Sequence, residues 1–229
     1  MTLQTGMMLL AAKMPLDMMI SKMSEGMVET LKIFFLTLLF SLPLGLVIAF
    51  GRMAKNRIIR YIVTVYIAIM RGTPLMLQVM AIYFGPNYLL HIRIPRSYRF
   101  IAIIVAFALN YAAYFAEIFR SGIEAIPVGQ HEAASVLGYT RSQTFVRIVL
   151  PQMMRIVLPS VTNEVITLVK DTSLAFALAY TEMFTLAKQI AAANASIMPL
   201  FVAGVFYYIF NFVVAWVMET IEKKMRYYK

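Results

Sequence analysis

The chain has 229 residues, 61% of them hydrophobic and only 14% charged, with a mean hydropathy of +0.76 and a formal net charge of +10. A soluble domain is about half apolar, so this composition excludes an ordinary soluble enzyme and places the chain in a membrane. There is no cysteine, and the two histidines, His91 and His131, stand far apart, which removes disulfides, thiolate catalysis and clustered metal ligation from consideration.

The first stretch, residues 7–23, is rich in methionine and broken by Pro15. It reads either as an amphipathic segment lying in the interface or as a leader without fixed structure. It lacks the basic start and clean cleavage site of a signal peptide. Five hydrophobic segments then follow, at about 30–50, 58–84, 99–119, 161–181 and 197–219. Each is long enough to span a bilayer. In lipid each must be helical, because backbone donors and acceptors there have no water to bond. The expected fold is therefore an all-α integral membrane protein with five transmembrane helices in one domain, 1–229.

The second segment is interrupted at Arg71-Gly72-Thr73-Pro74. Pro74 cannot donate to the carbonyl of Met70, so the helix is weakened there. Broken helices are how transporters expose backbone groups to charged ligands at mid-depth. Arg71, with Gln78 nearby, is a candidate for the carboxylate of a substrate. Pairing of Arg71 with Glu164 or Asp171 inside the chain is the alternative. At the end of the third segment Glu117 and Arg120 are spaced as an i, i+3 ion pair, which either closes the helix end or serves as a gate or loop anchor.

Between the third and fourth segments, about 120–160, lies a polar module containing HEAASVLGYTRSQTFVRIVLP, residues 131–151. Pro127 and Gly129 break the chain, and a short helix is expected from about 130 to 137. Gly138 is placed to end it in the left-handed region. Thr140-Arg-Ser-Gln143 fits a capping box opening a second helix along the bilayer, with Pro151 and Pro159 punctuating the return to the membrane. The module is either an ordinary elbow between spans or a docking helix for a cytoplasmic partner.

The fourth segment carries charge inside the membrane, which costs several kcal/mol and needs a reason. On a straight helix Asn163, Glu164, Thr167, Lys170 and Asp171 share one arc of about 120°, with Val165, Ile166, Leu168 and Val169 opposite. Such a stripe either faces a substrate path or glues helices together. Arg71, Glu164, Lys170 and Asp171 sum to zero charge, which suits a zwitterion, and the two acids on one stripe tilt the choice toward a basic amino acid. Twelve Lys and Arg residues fall in the loops after segments one and three and in the C-terminal stretch, against seven on the other side. The positive-inside rule then puts the C-terminus in the cytoplasm and the N-terminus outside. The positive excess suits anionic membrane lipid. No basic stripe interleaved with aromatics points to nucleic acid.

Glu132-Ala133-Ala134, Gly138 and the Ile148-Val149-Leu150-Pro151 end resemble the EAA loop of ABC-importer permeases. Arg71-Gly72-Thr73-Pro74-Leu75 with Gln78, Glu117-Ile118-Phe119-Arg120, Gly129-Gln130 and Lys170-Asp171-Thr172-Ser173-Leu174 resemble the polar amino-acid branch of that family, in order and at similar spacing. The resemblance runs from about residue 30 to the end. It implies a type I ABC importer permease fold with a cytoplasmic EAA coupling helix, in a prokaryotic inner membrane. It also implies a second permease subunit, identical or related, an ATP-binding cassette ATPase, and an extracytoplasmic solute-binding protein. On this resemblance Gln130, Glu132, Ala133, Ala134 and Gly138 meet the ATPase. The chain has no G-x-x-x-x-G-K-[ST] loop, so ATP and magnesium are expected on the partner, with no cofactor and no catalytic residue in this chain. A secondary carrier or channel without an ATPase is the rival, but no internal repeat or filter-like loop is visible.

Overall fold

The computed structural model describes residues 14–225 and contains helices joined by short turns, with no strand among the described residues. In chain order these are α1 (Leu16–Arg52), α2 (Arg57–Gly72), α3 (Leu75–Leu90), α4 (Tyr98–Glu124) and α5 (Val128–Val136). Next come a short α6 (Arg141–Thr144), a π-helical turn (Phe145–Val149), α7 (Leu150–Asp171) and a 3-10 segment (Thr172–Leu178). The series ends with α8 (Met183–Ala193) and α9 (Met198–Met225). Four stretches are long and apolar enough to cross a membrane: α1, α4, the rod Arg141–Leu178, and α9. The fifth span is the pair α2 and α3, bent by 110° at their junction.

Several extents differ from the sequence expectation. The first helix starts at Leu16, directly after Pro15, far upstream of residue 30. The charges at Lys22, Glu25, Glu29 and Lys32 made this part read as outside the span. Packing overrides them: Met19, Met23 and Gly26 are buried against Met183, Ala187 and Ala203 of α8 and α9. The described part of the methionine-rich stretch is thus helical rather than without fixed structure; residues 7–13 lie outside the described residues, as do Lys13, Arg226 and Lys229 of the charge count. The helix after Thr140 does not lie as a separate element along the bilayer. It runs through the π turn into α7. Pro151 follows directly on the π turn, where the hydrogen-bond ladder is already shifted, with Leu150 N–H reaching back to the Phe145 carbonyl, and Pro159 is accommodated within the helix.

The core is organised by α1 and α4. Along α1 the buried face is a stripe of small residues every fourth position, Thr37, Ser41, Gly45 and Ala49. It meets an alanine-rich face of α4. Small residues let helix backbones approach closely, which is how membrane helices gain dispersion contact where the hydrophobic effect is weak. A Cβ on Gly45 would lie 2.8 Å from Phe115 Cβ and 3.1 Å from the Ala112 carbonyl oxygen. At the far end, the Glu182 carboxylate caps α8, accepting from the N–H groups of Phe184 and Thr185 at 2.7 Å and from the Tyr207 hydroxyl at 3.2 Å. This fully buried acid is satisfied on several sides, which ties α8 to α9.

A candidate polar cavity at a helix break

The break between α2 and α3 follows from its sequence. Thr73 precedes proline, so it is driven from the helical region and adopts φ −121°, ψ 147°. Pro74 then starts α3 without an N–H to donate. The carbonyl thereby orphaned, that of Met70, is not left bare. It accepts from the side-chain amides of Gln78 and Asn110, both at 2.9 Å. The Gln78 amide also donates to the Thr73 carbonyl and hydroxyl oxygens, and its own carbonyl accepts from Asn110 at 3.0 Å. Gln78 and Asn110 therefore hold the bend open in a fixed shape.

Against this bend lies a cavity of about 430 Å³, lined by Thr73, Pro74 and Leu75, by Asn110, Tyr111 and Tyr114 of α4, and by Glu164, Thr167, Asp171 and Leu174. Its volume lies within the range usual for small-molecule sites. The Tyr111 hydroxyl donates to Asp171 at 2.7 Å, which fixes one oxygen of that carboxylate. Arg71 is placed with its guanidinium 5.2 Å from the centre of the Tyr114 ring, at the edge of the cavity.

The expected residues thus divide into groups. Glu164, Thr167 and Asp171 come together in the cavity lining. Arg71 stands beside it on Tyr114. Gln78 lies behind the wall and is engaged by the bend. Asn163 and Lys170 are exposed on the same stripe of α7 but outside the lining. The opposite arc is turned inward as expected, with Val165, Leu168 and Val169 buried. Unwinding into the 3-10 segment at Thr172 ends the stripe, and the Thr172 hydroxyl turns back to the Val169 carbonyl. Among the described residues neither Arg71 nor Lys170 forms an ion pair with Glu164 or Asp171. The three lining residues that α4 supplies, Asn110, Tyr111 and Tyr114, were missed from sequence. The available clue was a polar Asn-Tyr pair in the middle of an apolar span, which in a membrane helix marks a functional position by default.

At the other end of α4, Glu117 is paired with Arg120 at 2.7 Å and lies 3.5 Å from Arg52 of α1. The helix-end pair is therefore part of a small network reaching a second helix. Beyond it, α5 begins after Pro127 and ends at Leu137 in a complete Schellman motif. Gly138 N–H donates to the Ser135 carbonyl and Tyr139 N–H to that of Ala134, both at 3.0 Å. Gly138 has φ +77°, as its position required. The Thr140–Gln143 capping box is also present. Gln130, Glu132 and Ala133 face solvent, whereas Ala134 is buried against its own chain. Ala134 therefore cannot offer its small side chain to a partner. Its exposed neighbours include Val128, Val136 and Leu137, the last 73% exposed.

Five spans, a bent second span, a polar cavity at that bend and an exposed helix on the loop after α4 define the membrane subunit of a solute transporter. Residues 41–227 match the family of binding-protein-dependent transport system inner membrane components, and the chain belongs to that family. It is 35% identical to the L-cystine transport system permease protein TcyB of Bacillus subtilis (strain 168), over 90% of this chain and 87% of that protein. It is 36% identical to the arginine transport system permease protein ArtQ of the same organism, over 88% of this chain and 91% of that one. A crystal structure of an amino acid ABC transporter with histidines superposes with a TM-score of 0.79 at 29% identity, covering 89% of this chain and 94% of the other. The fold is that of a type I ABC importer permease, and the protein is a multi-pass inner-membrane transport subunit.

Proposed function

We propose that this chain forms the translocation path of an ATP-driven importer of polar amino acids, with cargo held in the cavity at the α2–α3 bend. One observation carries the reading. In a chain of this family, two carboxylates and three α4 polar side chains converge on a mid-span helix break that one of those three, Asn110, holds open together with Gln78. The Glu164 carboxylate and the remaining oxygen of Asp171 accept from the cargo ammonium or a basic side chain. Arg71 supplies a cation for the cargo carboxylate at the cavity edge. Asn163 and Lys170 continue the polar stripe toward a second permease subunit, identical or related, that completes the path. The permease names of TcyB and ArtQ support an amino-acid cargo.

In this reading α5 is the coupling helix. Gln130, Glu132, Ala133 and the exposed Val136 and Leu137 enter a groove of an ATP-binding cassette ATPase, while Ala134 and Gly138 set the helix's pose. ATP and magnesium bind that partner. An extracytoplasmic solute-binding protein delivers cargo at the opposite face. The N-terminus is outside and the C-terminus cytoplasmic, which follows from the loop charges.

The test is uptake and binding with a panel of labelled amino acids in proteoliposomes holding the assembled transporter. The expected outcome is saturable, ATP-dependent uptake of one or more polar amino acids, with basic ones favoured, and no nucleotide binding by the isolated chain. Uptake that proceeds without any ATPase, or saturable ATP binding by this chain alone, overturns the proposal.

A further inference from the structure

A second cavity, of about 580 Å³, is an almost purely apolar groove between α1 and α4, lined by Leu36, Phe40, Leu44, Phe100, Ile101, Ile104, Val105, Ala108 and Leu109. On α4, with Asn110 at zero and about 100° per residue, Tyr114 falls at about 40° and Tyr111 at about 100°, whereas Ala108, Ile101 and Val105 fall between about 160° and 220°. The exposed part of the groove, at Ile101 and Val105, therefore opens on the face of α4 turned away from the polar cavity, while Ile104 at about 120° and Phe100 at about 80° form its inner wall on the Tyr111 side. If that cavity is the cargo path, this face meets lipid.

The groove ends in charge. At Phe100 it adjoins a polar cavity of about 370 Å³ lined by Glu29, Arg96, Ser97, Arg99, Phe100, Tyr180 and Thr181. Lys32 lies one helical turn above Leu36 on the same stripe of α1. The one acid there, Glu29, already accepts from Lys32 at 2.6 Å and from the Tyr180 hydroxyl at 2.5 Å. Arg96 is exposed and pairs with no carboxylate among the described residues. Arg99 donates one terminal nitrogen to the Ala179 carbonyl at 3.0 Å, while its buried Nε has no partner among the described residues. These cations stand at the end of α4 opposite the coupling helix, the side that the positive-inside rule leaves poor in arginine. They gather where the first turn of α4 adds the positive end of its dipole.

We infer that this is a binding site for an anionic phospholipid, its phosphate held by Arg96 and Arg99 beside Ser97 and one acyl chain lying in the α1–α4 groove. The groove runs from Phe100 to Leu109 of α4, a rise of about 13 Å, which matches most of the hydrocarbon depth of one leaflet, roughly 15 Å. The charge selects the head and the apolar wall selects the tail, so neither a free anion nor a neutral lipid satisfies both parts.

The lipid-facing argument rests on the cavity being the cargo path, so lipid binding is measured apart from uptake. The full chain in detergent is titrated with phosphatidylglycerol and with phosphatidylcholine of matched acyl chains, and bound lipid is counted by native mass spectrometry. Phosphatidylglycerol should bind tighter, and Arg96→Gln with Arg99→Gln should weaken it about thirtyfold while leaving phosphatidylcholine unchanged. Lysine at both positions should restore most of the preference, which separates charge from folding. Val105→Trp, filling the groove, should weaken both lipids. Equal binding of the two lipids, or displacement of phosphatidylglycerol by equimolar glycerol phosphate, overturns the inference. So does a double glutamine variant that keeps its lipid but no longer captures an acidic solute-binding protein, since the arginines would then be a protein dock.

Discussion

Glu164 and Asp171 stand a turn or two apart on α7 in the same cavity, yet their surroundings differ. Asp171 has one oxygen engaged by Tyr111, whereas Glu164 has no hydrogen-bond partner among the described residues. Glu164 is therefore the freer acceptor for a cationic cargo group. Glu164→Gln keeps the shape and removes the charge; loss of a charge-assisted hydrogen bond of roughly 1.5 to 3 kcal/mol should weaken cargo binding about ten- to a hundredfold. Assembly with the ATPase and basal hydrolysis should survive. Asp171→Asn should weaken binding too, and Val165→Ala, on the buried arc, should leave affinity alone. If Glu164→Gln breaks up the complex with cargo affinity intact, the stripe is helix glue. Asn110 works differently, through the bend. Asn110→Leu removes its bonds to the Met70 carbonyl and to Gln78, a loss of about 0.6 to 2 kcal/mol for interhelical bonds in a membrane. It should lower the thermal midpoint by a few degrees and raise KM. An unchanged midpoint would show that Gln78 alone holds the break.

Among the elements, the spans were legible because long apolar runs in lipid have one structural solution. Their ends were not, because tertiary contacts decide them. The charges of Lys22, Glu25, Glu29 and Lys32 spoke against a buried helix, and only the close fit to α8, which places a Cβ on Gly26 2.8 Å from Met183 Cα, shows why α1 begins so early. The proline arguments succeeded at Pro74 and failed at Pro151 and Pro159. Pro74 follows a Gly-Thr pair and meets side chains able to satisfy the freed carbonyl; the other two enter a rod widened by the π turn, where Leu150 N–H reaches back to the Phe145 carbonyl. The α1–α4 seam was readable in the every-fourth-residue run of Thr37, Ser41, Gly45 and Ala49, but hydropathy conceals it because those residues are neither charged nor bulky. Gly45→Val should force the seam apart and destabilise the chain by about 1 to 3 kcal/mol, read as a lower midpoint in detergent. Gly204→Val on α9, where nothing lies within 4 Å, is the control and should be silent. Equal effects from the two would show that the seam carries no special close packing.

Across the whole molecule, the bend and α5, the proposed coupling helix, are joined by α4 and by the rod that α6, the π turn and α7 make continuous. The rod carries Glu164 and Asp171 in its upper part and receives α5 at its lower end. On the proposed coupling role, a push on α5 would be delivered to the element that holds both cavity acids. The joint in this linkage is Gly138, with φ +77° and open space around the missing Cβ. A Cβ there meets nothing within 4 Å, so the main cost of valine is the left-handed backbone, about 1 to 2 kcal/mol for an L-residue and more for a β-branched one. The cheapest escape is to abandon the Schellman turn and swing α5 away from the rod, leaving the spans as they are. Gly138→Val should therefore insert and fold normally, with cargo binding near that of the unmodified chain. Cargo-stimulated ATP hydrolysis and uptake should fall together by an order of magnitude or more. Gly138→Asn, which tolerates the left-handed region, should retain most coupling. Normal uptake in the valine variant would remove α5 from the path of work, and loss of cargo binding along with uptake would place its damage in the spans.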